Sequence, residues 1–199
     1  FEAGERMACS DRFTIQIKGK LSHGSAPHLG HDAILAAAAA VMALQSIPSR
    51  QNDPLNSLVV TVGMMNGGTK ENILCDHVEL VGTVRAFNRE FRQSMPQRIQ
   101  KVVEQVVAGY NCTAECDYYF GPSPLINDND LLNRLSQGAA EKVMGEGCLV
   151  PSVKTLGAED FSVYMEHIPG VYGYLGIRNR EEGIECIAHH PSFDVDESV

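Results

Sequence analysis

FTIQIKGKLSHGSAPHLGHDAILAAAAAVMALQSI (residues 13–47) sets the fold. Its opening residues alternate. Phe13, Ile15 and Ile17 take one side and Thr14, Gln16 and Lys18 the other, the pattern of a half-buried strand. "LSHGSAPHLG" is rich in Gly, Pro and Ser and reads as a loop. Asp32 then stands where an N-cap belongs, ahead of a run with the highest helix propensity. Five consecutive alanines, 36–40, give that helix a flat face on which another element can pack closely.

Outward from this unit the pattern repeats. "SLVVTVGMMNGG" (57–68) reads as a strand ending in a Gly turn, and "HVELVGTVRAFN" (77–88) as its partner. "REFRQSMPQRIQKVVEQVVAGY" (89–110) is a helix with Phe91, Ile99, Val102, Val103 and Val106 on one apolar stripe. Pro96 belongs in a first turn, so Ser94 is the expected N-cap. "CTAECDYYF" (112–120) alternates again as a strand. The order β-α-β-β-α-β over residues 13–120 is the split βαβ, or ferredoxin-like, sandwich.

Beyond it the texture changes. "GPSPLINDND" (121–130) reads as a linker or hinge, "DLLNRLSQGAAEKVMG" (130–145) as helix and "EDFSVYMEHI" (159–168) as a short helix. "GVYGYLGI" (170–177) is apolar and Gly-rich, like a buried strand, and the remainder is mostly loop. These residues hold too few strands for a self-sufficient domain.

The 199 residues suit one large domain or two small ones. Net charge is -9, which argues against nucleic acid or an anionic membrane as partner. The stretch "AILAAAAAVMAL" is too short to cross a bilayer. Six scattered cysteines read as reduced, mostly buried thiols of a cytoplasmic protein. The chain opens without Met and reads as a piece of something longer.

Five motifs, in order, carry a family resemblance: "FTIQIKGKLSHGSAPHLGHDAI", "NDPLNSLVVTVGMMNGGTKENIL", "LVGTVRAF", "LGAEDFSVY" and "HHPSFDVDE". Together they resemble the metal-dependent amidohydrolases of the aminoacylase/carboxypeptidase family, in its hippurate-hydrolase and indoleacetyl-amino-acid-hydrolase branch. The resemblance implies an α/β (α+β) protein in which a ferredoxin-like lid, usually the dimerisation element, is inserted into a two-metal α/β catalytic domain. On that basis residues 1–12 are a hinge, 13–120 the lid, and 121–199 the last part of the catalytic domain. Most metal ligands and the general base, in a Cys-Gly-His-Asp and a Glu-Glu motif, would precede Phe1. Gly30-His31-Asp32 and Glu181-Glu182 imitate those motifs, but read as a helix start and as solvated charge.

The same resemblance assigns roles, each with an ordinary alternative. His189, otherwise a surface-loop residue, would be a metal ligand. Its neighbour His190 is an alternative that sequence does not separate. A neutral imidazole there suits Zn, Mn or Ni, two divalent metals serving each site. His23, otherwise a polar loop residue, would reach across a homodimer to stabilise the oxyanion at the scissile carbonyl. Asn72, otherwise a turn residue, and Arg85, otherwise an exposed strand residue, would bind the amide or α-carboxylate of the substrate. Gly157, otherwise part of the start of a short helix whose first-turn acids complement its dipole, would line the site in a loop whose backbone N–H groups could hold a carboxylate. A local metal site from His23, His28, His31 and Asp32 is a separate possibility.

The expected activity is hydrolysis of an N-acyl-amino acid by metal-activated water, in the parent protein only. A non-catalytic dimerisation or binding module derived from that family is the alternative.

Overall fold

The computed structural model describes residues 2–133 and 137–198. The strands are β1 (Gly4–Met7), β2 (Asp11–Lys18), β3 (Ser22–His23), β4 (Leu58–Gly67), β5 (Ile73–Leu74), β6 (His77–Ala86), β7 (Thr113–Tyr119) and β8 (Leu125–Asn127). The helices are α1 (Ala33–Leu44), α2 (Arg89–Ala108), α3 (Asn129–Leu131), α4 (Gln137–Met144) and α5 (Phe161–Met165).

Four strands form one antiparallel sheet in the order β4-β6-β2-β7. This is the ferredoxin-like arrangement expected of β-α-β-β-α-β. Phe13, Ile15 and Ile17 of β2, with Val78, Leu80 and Val84 of β6, are buried on one face. Helices α1 and α2 cover that face, with Ala33, Ala36, Ala37, Ala40 and Leu44 from α1 and Met95, Ile99, Val103 and Val107 from α2. Gly82 lies opposite Phe13 in the ladder, and a Cβ there would stand 2.1 Å from the Phe13 ring. Asp32 caps α1 as expected, its Oδ1 accepting from the N–H groups of Ile34 and Leu35 at 2.9 and 3.0 Å.

Five local expectations fail. Helix α2 starts at Arg89 under an Asn88 cap, which accepts from the Phe91 N–H at 2.7 Å, and Pro96 lies inside it. Packing of Met95 and Ile99 holds the helix through the proline, while Ser94 donates its hydroxyl to the Phe91 carbonyl. Three residues of the expected linker, Leu125–Asn127, are strand, since β8 pairs antiparallel with β1. The segment 170–177 forms no ladder among the described residues, and Tyr174 and Leu175 are exposed. Helix α1 also runs on through a π turn, Ile47–Gln51, so that Ala33–Gln51 is long and apolar enough by length and composition to cross a membrane. Its buried Ala33, Ala36, Ala37, Ala40, Leu44 and Ile47 form part of the sandwich core. The helix expected over 130–145 is interrupted, and its residues 134–136 lie outside those described.

Candidate active-site residues

The loop 20–31 is closed at its base. Lys20 and His31 exchange backbone hydrogen bonds at 2.8 and 3.0 Å. Strand β3 pairs with β5, setting His23 against Ile73, and the Gly24 N–H donates to the Asn72 carbonyl at 2.8 Å. A Cβ on Gly24 would lie 3.2 Å from that carbonyl oxygen, so the small residue permits the close approach. His23 and Asn72, 49 positions apart by number, thus become neighbours. A cavity of about 430 Å³ adjoins them, bounded by Ile73, Leu74, Cys75 and the Asn66–Thr69 turn.

The exposed His23 ring has a defined proton. Its Nδ1 accepts from the Ser25 backbone N–H at 3.1 Å, with the Ser25 hydroxyl at 2.7 Å. A backbone N–H can only donate, so Nδ1 holds the lone pair and the neutral ring carries its proton on Nε2. That N–H is the donor an oxyanion requires. Ser25 was not singled out from sequence, because nothing in "HGSAPH" tells that its N–H turns back on the histidine.

Arg85 and Gly157 lie elsewhere. In the ladder Lys18 of β2 faces His77, at the His23 end, while Asp11 faces Val84, beside Arg85. Arg85 lies eight positions along β6 from His77, roughly 27 Å at strand rise. Arg85 is half-buried on the sheet face opposite the helices. Near that end the Gly157 carbonyl accepts from the Ala8 N–H at 2.8 Å, and the adjoining Cys9 N–H donates to the Ala86 carbonyl at 2.9 Å. The structure therefore brings His23 and Asn72 together at one end of the sheet and places Arg85 and Gly157 towards the other, linked only through the Ala8–Cys9 backbone. His189 joins neither.

His189 is exposed and adopts φ of 69°, the left-handed region, where histidine is uncommon but enriched over bulkier residues. Its ring makes no hydrogen bond within the described residues. In His190, Nδ1 accepts from the Ser192 N–H at 3.0 Å, which leaves the proton on Nε2 and no lone pair for a cation. As arranged, His189 is the better donor of the two. Among the described residues no group of three His, Cys, Asp or Glu is placed to hold a metal ion. The local site from His23, His28, His31 and Asp32 is therefore not formed, Asp32 being committed to its cap. What fits a metal here is a single imidazole, one ligand of an incomplete set.

A buried polar cluster at the Asp11 end escaped sequence reasoning. Asp11 and Arg92 are 1% and 5% exposed. Arg92 donates Nε and Nη2 to the Asp11 carboxylate at 2.9 and 2.7 Å, and the Tyr118 hydroxyl donates to it at 2.9 Å. Burial works against the Arg92 charge, but Asp11 outweighs it and raises the guanidinium above its ordinary value. Burial, then the Asp11 charge, pushes the Cys9 thiol up to about 11 and raises the Tyr118 phenol. One signal was legible: Arg92 falls on the helical spacing of Met95, Ile99 and Val103, a cation in a buried stripe.

Residues 5–111 match the family model of the peptidase dimerisation domain of the M20 class. The chain is 39% identical over 198 residues, its whole length, to an N-acetyl-L-cysteine deacetylase of Bacillus subtilis, covering 46% of that protein. It is 38% identical over 196 residues to a Bacillus subtilis N-acetylcysteine deacetylase, covering 50% of it. Among solved structures it matches, over its whole length, a putative aminohydrolase from methicillin-resistant Staphylococcus aureus (TM-score 0.85, 28% identity, 50% of that chain). It also matches the Bacillus subtilis YXEP protein, described as a dinuclear metal-binding peptidase of the M20 family (TM-score 0.79, 32% identity, 48% of that chain). The chain spans about half the length of these relatives. A peptidase dimerisation domain followed by a segment that continues to match such hydrolases places the chain in the M20 family of amidohydrolases and peptidases.

Proposed function

We propose that the protein to which these residues belong is a homodimeric, cytoplasmic, two-metal amidohydrolase. It cleaves the amide of an N-acyl-amino acid, adding water across the C–N bond to give a carboxylate and a free amino acid. The separation of His23 and Asn72 from Arg85 and Gly157 carries this reading. Groups at opposite ends of one sheet cannot grip one small substrate within a protomer. An antiparallel pairing of one edge strand with its copy about a two-fold axis sets the His23 end of each lid against the Arg85 end of the other.

The edges differ in their fitness for that pairing. β7 presents Glu115 and Asp117 to solvent, like charges that would repel a copy. β4, "LVVTVGMMNG", has no charge, and it exposes Met64 and Met65. Helix α1 on that side exposes Ile34, Leu35 and Met42. This apolar strip supports β4 as the dimer edge.

In the mechanism, the partner's His23 donates its Nε2–H to the oxygen of the scissile carbonyl as charge develops there. Ser25 holds that tautomer, and Asn72 orients the amide beside it. Arg85 offers a fork to the α-carboxylate, and the loop at Gly157 offers backbone N–H groups. His189 would hold one metal through a ring nitrogen left free by its surroundings. Two divalent cations, when bound, supply an acidified water and a polarised carbonyl. The remaining ligands and the general base lie outside these 199 residues in this reading. The -9 net charge supports a small-molecule substrate rather than nucleic acid or an anionic membrane, and six free cysteines support a reducing compartment.

The match of residues 5–111 to a dimerisation domain favours the second reading, a non-catalytic dimerisation module. One assay separates the two. The intact protein, given N-acetylcysteine and N-benzoyl-amino acids with Mn or Zn, should turn over and lose activity with chelator. The 21.7 kDa chain alone should be inactive. An inactive intact protein would overturn the hydrolase, and turnover by the 21.7 kDa chain would overturn the claim that ligands are missing from it.

A further inference from the structure

The Asp11–Arg92 pair sits where the chain enters and leaves the ferredoxin-like unit. Both crossings are bound to it. Asp11 opens β2, and its carboxylate also accepts the Gly121 N–H at 3.1 Å, just past β7. Arg92 donates Nη2 to the Gly121 carbonyl at 2.7 Å and Nη1 to the Ser123 hydroxyl at 3.1 Å. Between the crossings, the Ser10 N–H donates to the Pro122 carbonyl at 3.2 Å, and a Cβ on Gly121 would lie 2.0 Å from the Ser10 carbonyl oxygen.

The network then leaves the sandwich. Ser123 donates its hydroxyl to Glu166, which caps the C-terminus of α5. The segment before α5 is tied to the same region from its other end, through the Gly157 carbonyl and the Ala8 N–H at 2.8 Å. The Thr155 N–H donates to Arg6 at 2.9 Å, and beyond α5 the Gly170 carbonyl accepts from Asp128 at 3.0 Å. Residues 155–170 are thus mounted at several points on the crossing strands, and one side-chain link, Ser123 to Glu166, joins that mount to the buried ion pair.

We propose that Asp11 and Arg92 are positioning residues that act through Ser123 on Glu166, fixing residues 157–166 against the lid so that both move as one body. A buried, doubly bridged ion pair is a costly way merely to stabilise a sandwich. Its use here is geometric: a planar fork with five donors reaches Asp11, Gly121 and Ser123 at once, which a lysine cannot. The consequence for substrate rests on the reading of Gly157 as a substrate-binding residue, but the coupling itself does not.

Amide exchange on the intact protein tests the coupling. Three reporters mark the mount: the N–H groups of Ala8, Thr155 and Asp128. Ile15 and Leu80, in the middle of β2 and β6, report the lid itself. Ser123→Ala and Glu166→Ala should each speed exchange at the three reporters about tenfold or more, with Ile15 and Leu80 unchanged. The double variant should do no more than either single change, because both break one link. Glu166→Gln, which keeps an accepting oxygen, should stay near the parent rate. Reporter rates within twofold of the parent in Glu166→Ala would overturn the proposal, as would Glu166→Gln exchanging as fast as Glu166→Ala. If Ser123→Ala loosens Ile15 and Leu80 too, the exposed Glu166 substitution decides. In the intact enzyme Glu166→Ala should raise KM with kcat little changed. Faster exchange without a KM effect would refute Gly157 as a substrate residue and leave the coupling standing.

Discussion

At His23 the two donors of Ser25 leave one neutral tautomer, with its N–H turned outward. In the intact enzyme His23→Ala should lower kcat by about 10²–10³-fold with KM changed far less, as removal of an oxyanion donor does. Steady-state kinetics on an N-acetyl-amino acid measure this, and an equal loss in KM alone would point to ground-state binding instead. Cys9 gives a prediction for the folded chain. Its thiol is raised to about 11 by burial and by Asp11, so the unfolded state ionises first as pH rises. Stability is therefore full below about 9 and falls from there towards 11. Cys116, also raised to about 11, adds the same sign. Urea melts at pH 8 and pH 10.5 should show this fall, reduced in Cys9→Ala. The residue types at each candidate position were legible in the sequence because motif order marks them. The proton position on His23, the spare nitrogens of His189 against those of His190, and the Arg92 cluster were not, because each depends on which backbone group turns towards the ring or the fork.

The elements of the sandwich were legible where one face alternates with the other. β2 and β6 bury one side, β7 alternates half-buried with exposed residues, and β4 loses the alternation past its register shift at Val62–Met64; the period survives in "FTIQIKGK" and "HVELVGTVRAFN". Capping decided α2 against its proline: Asn88 starts the helix eight positions before Pro96, and buried contacts outweigh one missing hydrogen bond. "GVYGYLGI" has the composition of a strand buried on both faces, but a strand needs a neighbour, and none among the described residues pairs with it. The clip formed by β3 and β5 is too short to announce itself in sequence. It yields a prediction at Gly30, where a Cβ would lie 2.5 Å from Ser22 Oγ and 2.6 Å from both Leu74 Cδ2 and the Lys20 carbonyl oxygen. Gly30→Ala should loosen the loop without unfolding the sheet. Exchange at the Gly24 N–H should rise about tenfold, while Ile15 and Leu80 hold. Unchanged protection at Gly24 would show that the clip does not depend on that close approach.

At the scale of the molecule, the proposal places two half-sites at opposite ends of one sheet and has a two-fold axis along the uncharged β4 edge bring unlike halves together. Such a dimer should weaken when charge is placed on that edge. Met64→Lys, with 54% exposure at the parent position, should shift the protein towards monomer in analytical ultracentrifugation and reduce activity in proportion. An unchanged dimer would exclude the β4 edge as the interface.

The most direct test of the shared site mixes two inactive forms of the intact enzyme, His23→Ala and His189→Ala. If His23 acts across the dimer, each mixed dimer holds one site with both residues and one with neither. Random exchange of subunits should then restore about a quarter of the parent activity. A mixture as inactive as its components would mean that His23 and His189 serve the same protomer, and would contradict the account.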